Sequence, residues 1–414
     1  MEIFNRVTLL ISNKNFTLIL IIFLTVSLMY FVPQDTKNEL SQTFEEKPSN
    51  AKGSRFNLVV WEIDHFPEKW IRKLIRFTSP KFKTNADENK LIQKYIQINH
   101  QIAGVSTQST TTNVGFSDTK VESAIHERNL IINDVEEIIE SRVNAVLSEK
   151  NIATWGKITF PPVDISLGDT PKVLITSPRE KIFRLSDVLI HPSISNEESD
   201  LLETRIAKEE NLSALISKIG GIATYPSAIP HGTSLDKILT ITAHEWFHHY
   251  AFFHPLGQNM HDSNSMKTLN ETVATLFGEE IAILAKSSIE NDFDPVENNK
   301  IPTHKKFNFN YEMKTTRIET ESLLSKNQIA TAEEYMETRR KLFNQNGYNI
   351  RKLNQAWFAF HGTYGESAAS ISPIGSQVRE LRNSYSSLEE FLDAVTEINN
   401  MKEFSELLHK SRVN

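Results

Sequence analysis

The string HEWFHH, which begins at His244, contains residue types that can bind and use a metal ion. On an α-helix, His244 and His248 lie one turn apart on the same face, so their imidazole nitrogens can bind a single ion. Glu245 then lies beside the ion, where a carboxylate can take a proton from a metal-activated water that attacks a carbonyl. The spacing therefore predicts metal-assisted hydrolysis, with two histidine ligands and Glu245 as general base.

A third ligand is predicted at Glu271, in the apolar helical segment HDSNSMKTLNETVATLFGEEIAILAK. A catalytic zinc site usually has three protein ligands and leaves the fourth position to water, and two His with one Glu form a known set. His249 points about 100° away from His248 around the helix. His254 and His261 lack the spacing of a metzincin third histidine. We therefore expect one zinc ion per chain, with Glu271 as its third ligand.

The composition limits the other chemistry that the chain can perform. Cys does not occur among the 414 residues, which excludes thiol nucleophiles, disulfides and cysteine-based metal sites. Any metal must therefore be held by His, Asp or Glu. The 45 Lys and Arg residues and the 52 Asp and Glu residues give a net charge of −7, so nucleic acid is not an expected partner.

HEWFHH followed by LNETVAT resembles the gluzincin metallopeptidases, the thermolysin-like and aminopeptidase-like group. In these enzymes one helix carries H-E-x-x-H and a second supplies a Glu within an N-E motif. The resemblance covers about 220–286 and implies a zincin-like core that hydrolyses peptide bonds. It implies zinc ligation by His244, His248 and Glu271, with Glu245 as general base. The string ATYPSA is similar to the edge strand along which such enzymes align a peptide.

Two departures from the gluzincin pattern bear on the activity. Thr275, four residues after Glu271, stands where thermolysin-like members have an Asp that orients a histidine ligand, so that support must come from elsewhere. The exopeptidase motif G-x-M-E-N is replaced by GGIATYP. We therefore expect an endopeptidase or a peptidase of narrow specificity rather than an aminopeptidase.

A donor to the developing oxyanion is also expected. The loop HGTYGES, after the helical string AWFAF, places Tyr364 between two glycines and makes it the first candidate. A plain turn between helices is the alternative interpretation of this loop. Further candidates are His361, Tyr311, Arg317 and His231.

Several elements must position these residues. Helices are predicted over about 87–103 and 120–149, and strands in KITFPPVDISL, KVLITSP and FRLSDVLIHPSI. A charged helix near 196–219 and an edge strand over 222–228 precede the active-site helix, for which Thr233 and Asp236 form a possible capping box. Helices return from about 307. Gly278 is expected to let the Glu271 helix approach its neighbour closely.

The uncharged run 16–32 is long enough to span a bilayer. Arg6 and Lys14 precede it and Asp35 and Glu39 follow it, so the N-terminus is predicted to be cytoplasmic and the rest extracytoplasmic. A cleaved signal peptide is the alternative, but no A-x-A-like site follows the run. We therefore expect a single-pass protein of the cell membrane.

The predicted fold class is α+β, with a zincin-like core in which a small mixed sheet packs on the active-site helix. The predicted organisation is a cytoplasmic N-terminus (1–15), a transmembrane anchor (16–32), a linker (33–54), a helical N-terminal region (55–150), a catalytic core (151–286) and a helical C-terminal region (287–414). The predicted function is zinc-dependent hydrolysis of a peptide or protein substrate. The alternatives are a membrane-tethered binding protein without activity and an amidase that acts on a non-peptide substrate such as a cell-wall cross-link. The sequence does not fix the oligomeric state.

Overall fold

The computed structural model describes residues 55–63, 65, 69, 85–108, 118–155, 158–287 and 307–413. The predicted cytoplasmic N-terminus, membrane anchor and linker (1–54) lie outside these residues. None of the helices in the described part of the chain combines the length and the hydropathy that a bilayer crossing requires.

The chain forms a mixed α+β fold that is mostly helical. The helices are α1 (Asn85–Gln108), α2 (Asp118–Glu149), α3 (Asn196–Glu209), α4 (Leu235–Ala251), α5 (Pro255–Gln258), α6 (Asn264–Ser287), α7 (Phe309–Ser325), α8 (Ile329–Gln345), α9 (Gln355–His361), α10 (Ile374–Asn383), α11 (Leu388–Thr396) and α12 (Met401–Val413). The strands are β1 (Thr154–Trp155), β2 (Ile158–Thr159), β3 (Ile165–Gly168), β4 (Lys172–Pro178), β5 (Ser186–Ile190), β6 (Leu212–Lys218) and β7 (Ser227–Pro230).

The strands form three small sheets. An antiparallel sheet has the order β5-β4-β6, so β4 is its central strand. β3 and β7 pair in parallel, with Ile165 opposite Ser227 and Gly168 opposite Pro230. β1 and β2 form a separate antiparallel pair. The parallel pair is next to the candidate site, because β7 contacts α4, the helix that contains HEWFHH.

The predicted helix near 196–219 is wrong in its second half. The helix α3 ends at Glu209, and Asn211 follows with a φ of +55°, a left-handed conformation that Asn adopts more readily than most residues. The chain then continues as β6, whose central residues are buried against β4. The short apolar run LSALIS fills this buried strand, which periodicity alone cannot distinguish from a buried helix.

The elements before α4 also differ from their predictions. The run KITFPPVDISL is divided, because its two prolines separate β2 from β3. The predicted strand over 222–228 is displaced, because β7 begins at Ser227 and Ile222 makes only an isolated antiparallel bridge with Ala228. This bridge pairs the backbone N–H and C=O groups of both residues. The predicted Thr233–Asp236 capping box is wrong, because α4 begins after Ser234, whose side chain makes no capping hydrogen bond.

The largest hydrophobic cluster contains residues of α1, α2, β3, α4, α6 and the C-terminal helices α10 to α12. At its centre, the rings of Trp246 and Phe247 on α4 each lie 5.6 Å from the ring of Phe277 on α6. All three side chains are fully buried, and each stabilises the fold by about 1.5–3 kcal/mol through the removal of apolar surface from water. The core therefore fixes α4 against α6.

Gly278 sets the distance between these two helices. A Cβ atom at this position would lie 2.7 Å from the backbone oxygen of Thr240 and 3.2 Å from the backbone nitrogen of His244. Since real Cβ contacts below 3.0 Å are essentially never seen, only glycine fits here without displacing the backbone of α4. The predicted close approach at Gly278 is confirmed, and it occurs at the level of His244.

Candidate metal centre

Two packed helices bring three potential metal ligands together. The helix α4 buries Trp246 and Phe247 on one side and presents His244 and His248 on another. The helix α6 presents Glu271 to the two imidazoles. The Nε2 atoms of the histidines are 3.1 Å apart, and Oε2 of Glu271 lies 3.4 Å from Nε2 of His244 and 3.8 Å from Nε2 of His248.

These distances fit a tetrahedral zinc ion. With bonds of about 2.0–2.2 Å, neighbouring ligand atoms of a tetrahedral zinc site are separated by about 3.3–3.6 Å. The three observed separations, 3.1, 3.4 and 3.8 Å, lie around this value. Within the part of the chain that the structure describes, no other group of three His, Asp or Glu side chains has a geometry that could hold a metal ion.

The three side chains remain accessible to small molecules. The exposed fractions are 15% for His244, 13% for His248 and 14% for Glu271. A structural zinc site is closed by four protein ligands, whereas a catalytic site keeps one position open for water or substrate. Three partly exposed ligands with no fourth protein ligand in the described residues correspond to the open type.

The electrostatics of Glu271 and His248 favour the forms of these side chains that bind a cation. Burial alone would raise the pKa of Glu271, but the charge of His248 and the hydrogen bond from His244 lower it to about 2. Burial lowers the pKa of His248 to about 4. Burial also acts to lower the pKa of His244, but the hydrogen bond to Glu271 and the two nearby carboxylates raise it above its ordinary value. At neutral pH, Glu271 is therefore ionised and His248 is neutral, as metal ligation requires.

Glu245 is buried beside this group and has a different protonation behaviour. Burial raises its pKa to about 7, with a further rise from the charge of Glu271 and a fall from His244. A carboxylate with a pKa near neutrality can accept a proton and then donate it, as a general base of a hydrolase must. Its side chain is 6% exposed.

The backbone of Gly221 forms a wall against Glu245. A Cβ atom on Gly221 would lie 2.6 Å from Oε1 of Glu245 and 2.7 Å from Cγ2 of Ile241. At the neighbouring Gly220, the same atom would meet nothing within 4 Å. Gly221 is therefore required for the observed position of the Glu245 carboxylate. The sequence analysis did not identify this contact, because it depends on how the 220s loop folds over α4.

The residues expected to support the ligands behave differently from the thermolysin-like pattern. The Thr275 hydroxyl donates to the backbone oxygen of Glu271 at 2.8 Å, within its own helix. The buried amide of Asn270 instead lies against His248 and acts to raise its pKa. Its Nδ2 atom donates to the backbone oxygen of Leu256 at 3.5 Å. Asn270, the residue before Glu271, is therefore a neighbour of His248.

Tyr364 lies close enough to the candidate metal centre for the charges of Glu271 and Glu245 to act on it. The backbone N–H of Gly365 donates to Oγ1 of Thr272 at 3.1 Å, which fastens the loop after α9 to the residue that follows Glu271. Burial raises the pKa of Tyr364 far above its usual range, and the charge of Glu271 raises it further. The phenol therefore keeps its proton at every physiological pH and can act only as a neutral hydrogen-bond donor or acceptor.

The other oxyanion candidates are paired with other residues or exposed to solvent. The ring of His361 stacks on Trp357 at 4.2 Å, and Tyr311 is 66% exposed on α7. Arg317 binds Glu321 of its own helix. His231 pairs with the hydroxyl of Tyr95 at 3.0 Å. Of the five sequence candidates, only Tyr364 is brought next to Glu271.

Three charged residues near the centre were not predicted from the sequence. Arg184 forms a bidentate pair with Asp187, in which both N···O distances are 2.7 Å. Its Nη1 atom also donates to Oγ1 of Thr363 at 3.3 Å. Lys267 on α6 lies 3.5 Å from Asp187. The charges of Arg184 and Lys267 act on the pKa values of Tyr364 and Glu271, respectively, so this cluster borders the metal centre. Arg184 and Asp187 lie at or just before β5, whereas Lys267 lies at the start of α6, and no sequence motif links these two segments.

Comparison with known proteins gives no further assignment. No match was found to a protein-family model, to a curated protein or to a solved structure.

Proposed function

We propose that the protein is a zinc-dependent peptidase with a zincin-like core, in which His244, His248 and Glu271 hold the metal. The observation that carries the proposal is the set of ligand separations, 3.1, 3.4 and 3.8 Å, around the size of a tetrahedral zinc site. The partial exposure of the three side chains supports a catalytic rather than a structural metal. Zinc, when bound, supplies a Lewis acid that polarises the scissile carbonyl and acidifies water.

The residues of the chain then have distinct roles. Glu245 takes the proton from the attacking water and later passes it to the leaving amine nitrogen. The raised pKa of this carboxyl, about 7, suits both transfers. Tyr364 donates a hydrogen bond to the carbonyl oxygen as negative charge develops on it. Gly221 keeps the Glu245 carboxylate in place, and Asn270 orients His248.

Hydrolysis of peptides by the zinc-loaded full-length chain tests this proposal. A mixture of synthetic peptides is incubated with the wild type, Glu245→Gln and the control Glu279→Gln, and products are identified by mass spectrometry. Glu279 is 49% exposed on the same helix as Glu271, so its change should leave activity intact. We expect cleavage by the wild type and the control, and none by Glu245→Gln, with zinc retained in all three.

Two results would contradict the proposal. Equal cleavage by Glu245→Gln would remove the general base from the mechanism. A zinc-loaded wild type that cleaves no peptide would favour either the non-peptide amidase or the binding protein. Cell-wall fragments tested in parallel would separate these two alternatives.

We also propose that the run 16–32 anchors the protein in the cell membrane with residues 33–414 outside the cytoplasm. The uncharged sequence and the flanking charges support this topology. External protease added to intact cells should digest a C-terminal tag but not an N-terminal one. Protection of the C-terminal tag would contradict it.

A further inference from the structure

A cavity of about 150 Å³ is lined by residues that precede Glu271 and Tyr364 in the chain. On this scale a single water needs only about 10–15 Å³, so the cavity has room for a small chemical group. Its walls include Arg184, Lys267, Thr268 and Thr363. Lys267 and Thr268 are about one helical turn before Glu271 on α6, and Thr363 directly precedes Tyr364.

The position of Lys267 relates the cavity to the metal ligands. Four residues of α-helix rise by about 6 Å, and residues four apart lie on the same face. An extended peptide advances by about 3.3 Å per residue. A substrate group bound at Lys267 would therefore be one or two residues from the scissile bond.

The cavity contains more positive than negative charge among the described residues. Arg184 is neutralised by its bidentate pair with Asp187, and Arg317 by Glu321 at 2.6 Å. Lys267 has only a longer contact, 3.5 Å, with the Asp187 oxygen that Arg184 already binds. The nearby His261 has a pKa lowered by burial and by Lys267, so it adds no positive charge at neutral pH. The surplus charge is therefore on Lys267.

Two further features of the surroundings disfavour a positive charge on Lys267. It lies in the first turn of α6, where the helix dipole disfavours a cation, and no acidic residue occupies this turn. Burial and the neighbouring Arg184 lower the pKa of its ammonium group, and only Asp187 and Glu271 act in the opposite direction. An anion bound in the cavity would relieve both penalties.

We propose that this cavity binds a carboxylate of the peptide substrate, with Lys267 as the residue that pairs with it and Arg184 and Thr363 as its walls. The inference rests on the proposed peptidase function and narrows its substrate class. The carboxylate has two sources, an Asp or Glu side chain next to the scissile bond or the C-terminal carboxylate of a short peptide. Lys267 is a specificity residue here, and it takes no part in the proton transfers.

The test compares four Ala- and Phe-based hexapeptides, which contain either Glu or Gln and end in either a free carboxylate or an amide. Cleavage is measured with the full-length, zinc-loaded wild type, Lys267→Met and Lys267→Arg. The matched control is Lys286→Met, since Lys286 lies at the other end of α6 and pairs with Asp236. Binding of the same peptides is measured with the single variant Glu245→Gln and with the double variant Glu245→Gln/Lys267→Met. Neither variant is expected to cleave the peptides, so the measurement gives their affinity without turnover.

In the wild type and in Lys286→Met, we expect the preferred carboxylate peptide to have a KM at least about tenfold lower than its amide counterpart. In Lys267→Met this ratio should fall to about one, because only the carboxylate peptide loses its partner, and Lys267→Arg should restore part of it. A preference for Glu over Gln would identify a side-chain carboxylate as the bound group. A preference for the free C-terminus over the amide would identify the C-terminal carboxylate.

Equal KM ratios in the wild type and Lys267→Met would overturn the inference, as would a wild type without any preference. In both cases cleavage of the neutral peptide would leave the proposed peptidase function standing. If no peptide is cleaved, the peptidase proposal fails. The carboxylate site is then tested separately by the Kd of the amide peptide divided by that of the carboxylate peptide, measured for the two variants that contain Glu245→Gln. The absence of a Lys267-dependent Kd difference would then overturn it too.

Discussion

The replacement Gly221→Ala should damage catalysis while leaving the metal in place. The added Cβ atom would lie 2.6 Å from Oε1 of Glu245, whereas ordinary van der Waals contact begins at 3.4 Å. The carboxylate must therefore move by about 0.8 Å, unless the backbone moves instead. It is the far end of a flexible side chain, so this movement is the easier adjustment.

The magnitude follows from the geometry of general-base catalysis. A displacement of about 1 Å can lower a rate by about 100-fold, so we expect kcat to fall by about 10- to 100-fold. This corresponds to about 1.4–2.7 kcal/mol of activation free energy. The contact with Ile241 at 2.7 Å adds an overpacking cost to folding of about 1–3 kcal/mol.

The assay compares Gly221→Ala with Gly220→Ala, since a Cβ atom at Gly220 meets nothing within 4 Å. Steady-state kinetics on a cleaved peptide, zinc content and urea unfolding are measured for both variants. The control should match the wild type in all three. Wild-type kcat in Gly221→Ala would refute the assigned position of Glu245, and loss of zinc would show that the wall supports the ligands rather than the base.

Three further predictions concern the candidate site and the buried ion pairs of Lys69. Tyr364→Phe should lower kcat by about 100- to 1000-fold with zinc retained, whereas Tyr311→Phe, at an exposed site, should change nothing; equal activity in both would remove Tyr364 from the mechanism. Glu271→Ala should lose zinc in metal analysis, and a retained stoichiometry would reject it as third ligand. Lys69 is buried with the carboxylates of Glu140 and Glu136, at 2.7 and 3.0 Å. Lys69→Met leaves both carboxylates without their cation and should cost about 3–5 kcal/mol in urea unfolding. Lys94 forms an exposed pair with Glu127 and provides the comparison, because Lys94→Met should cost about 1 kcal/mol or less. Equal losses of stability in the two variants would contradict the stabilising role of the buried pairs of Lys69.

The local elements of the fold could largely be predicted from the sequence. The helices α4 and α6 were predicted because their apolar residues recur with helical periodicity over many turns. The strand β4 was predicted from its β-branched run. The strand β6 was taken for helix, although Asn211 was available as a stop signal, since a buried run of six residues has no diagnostic period.

The candidate ligands and the general base could be predicted because short local strings contain them, HEWFHH on α4 and LNETVAT on α6. His244, Glu245 and His248 share one helix, so their spacing is visible in the sequence. The other supporting residues, such as Gly221 and Lys267, lie on other elements and meet the site only through packing. Tertiary contacts of this kind leave no periodic signal in a single chain. The approach of α6 at Gly278 is the exception, because a glycine within an apolar helix already indicates close packing.

The most direct test of the central claim is the zinc content of the full-length chain. Elemental mass spectrometry is performed on the wild type, His248→Ala and the control His254→Ala, since His254 lies beyond α4 and contacts Glu397 at 3.1 Å. We predict about one zinc per chain in the wild type and the control, and loss of zinc in His248→Ala. A wild type that binds no zinc when zinc is supplied, or a His248→Ala variant that keeps it, would contradict the assignment of the metal centre.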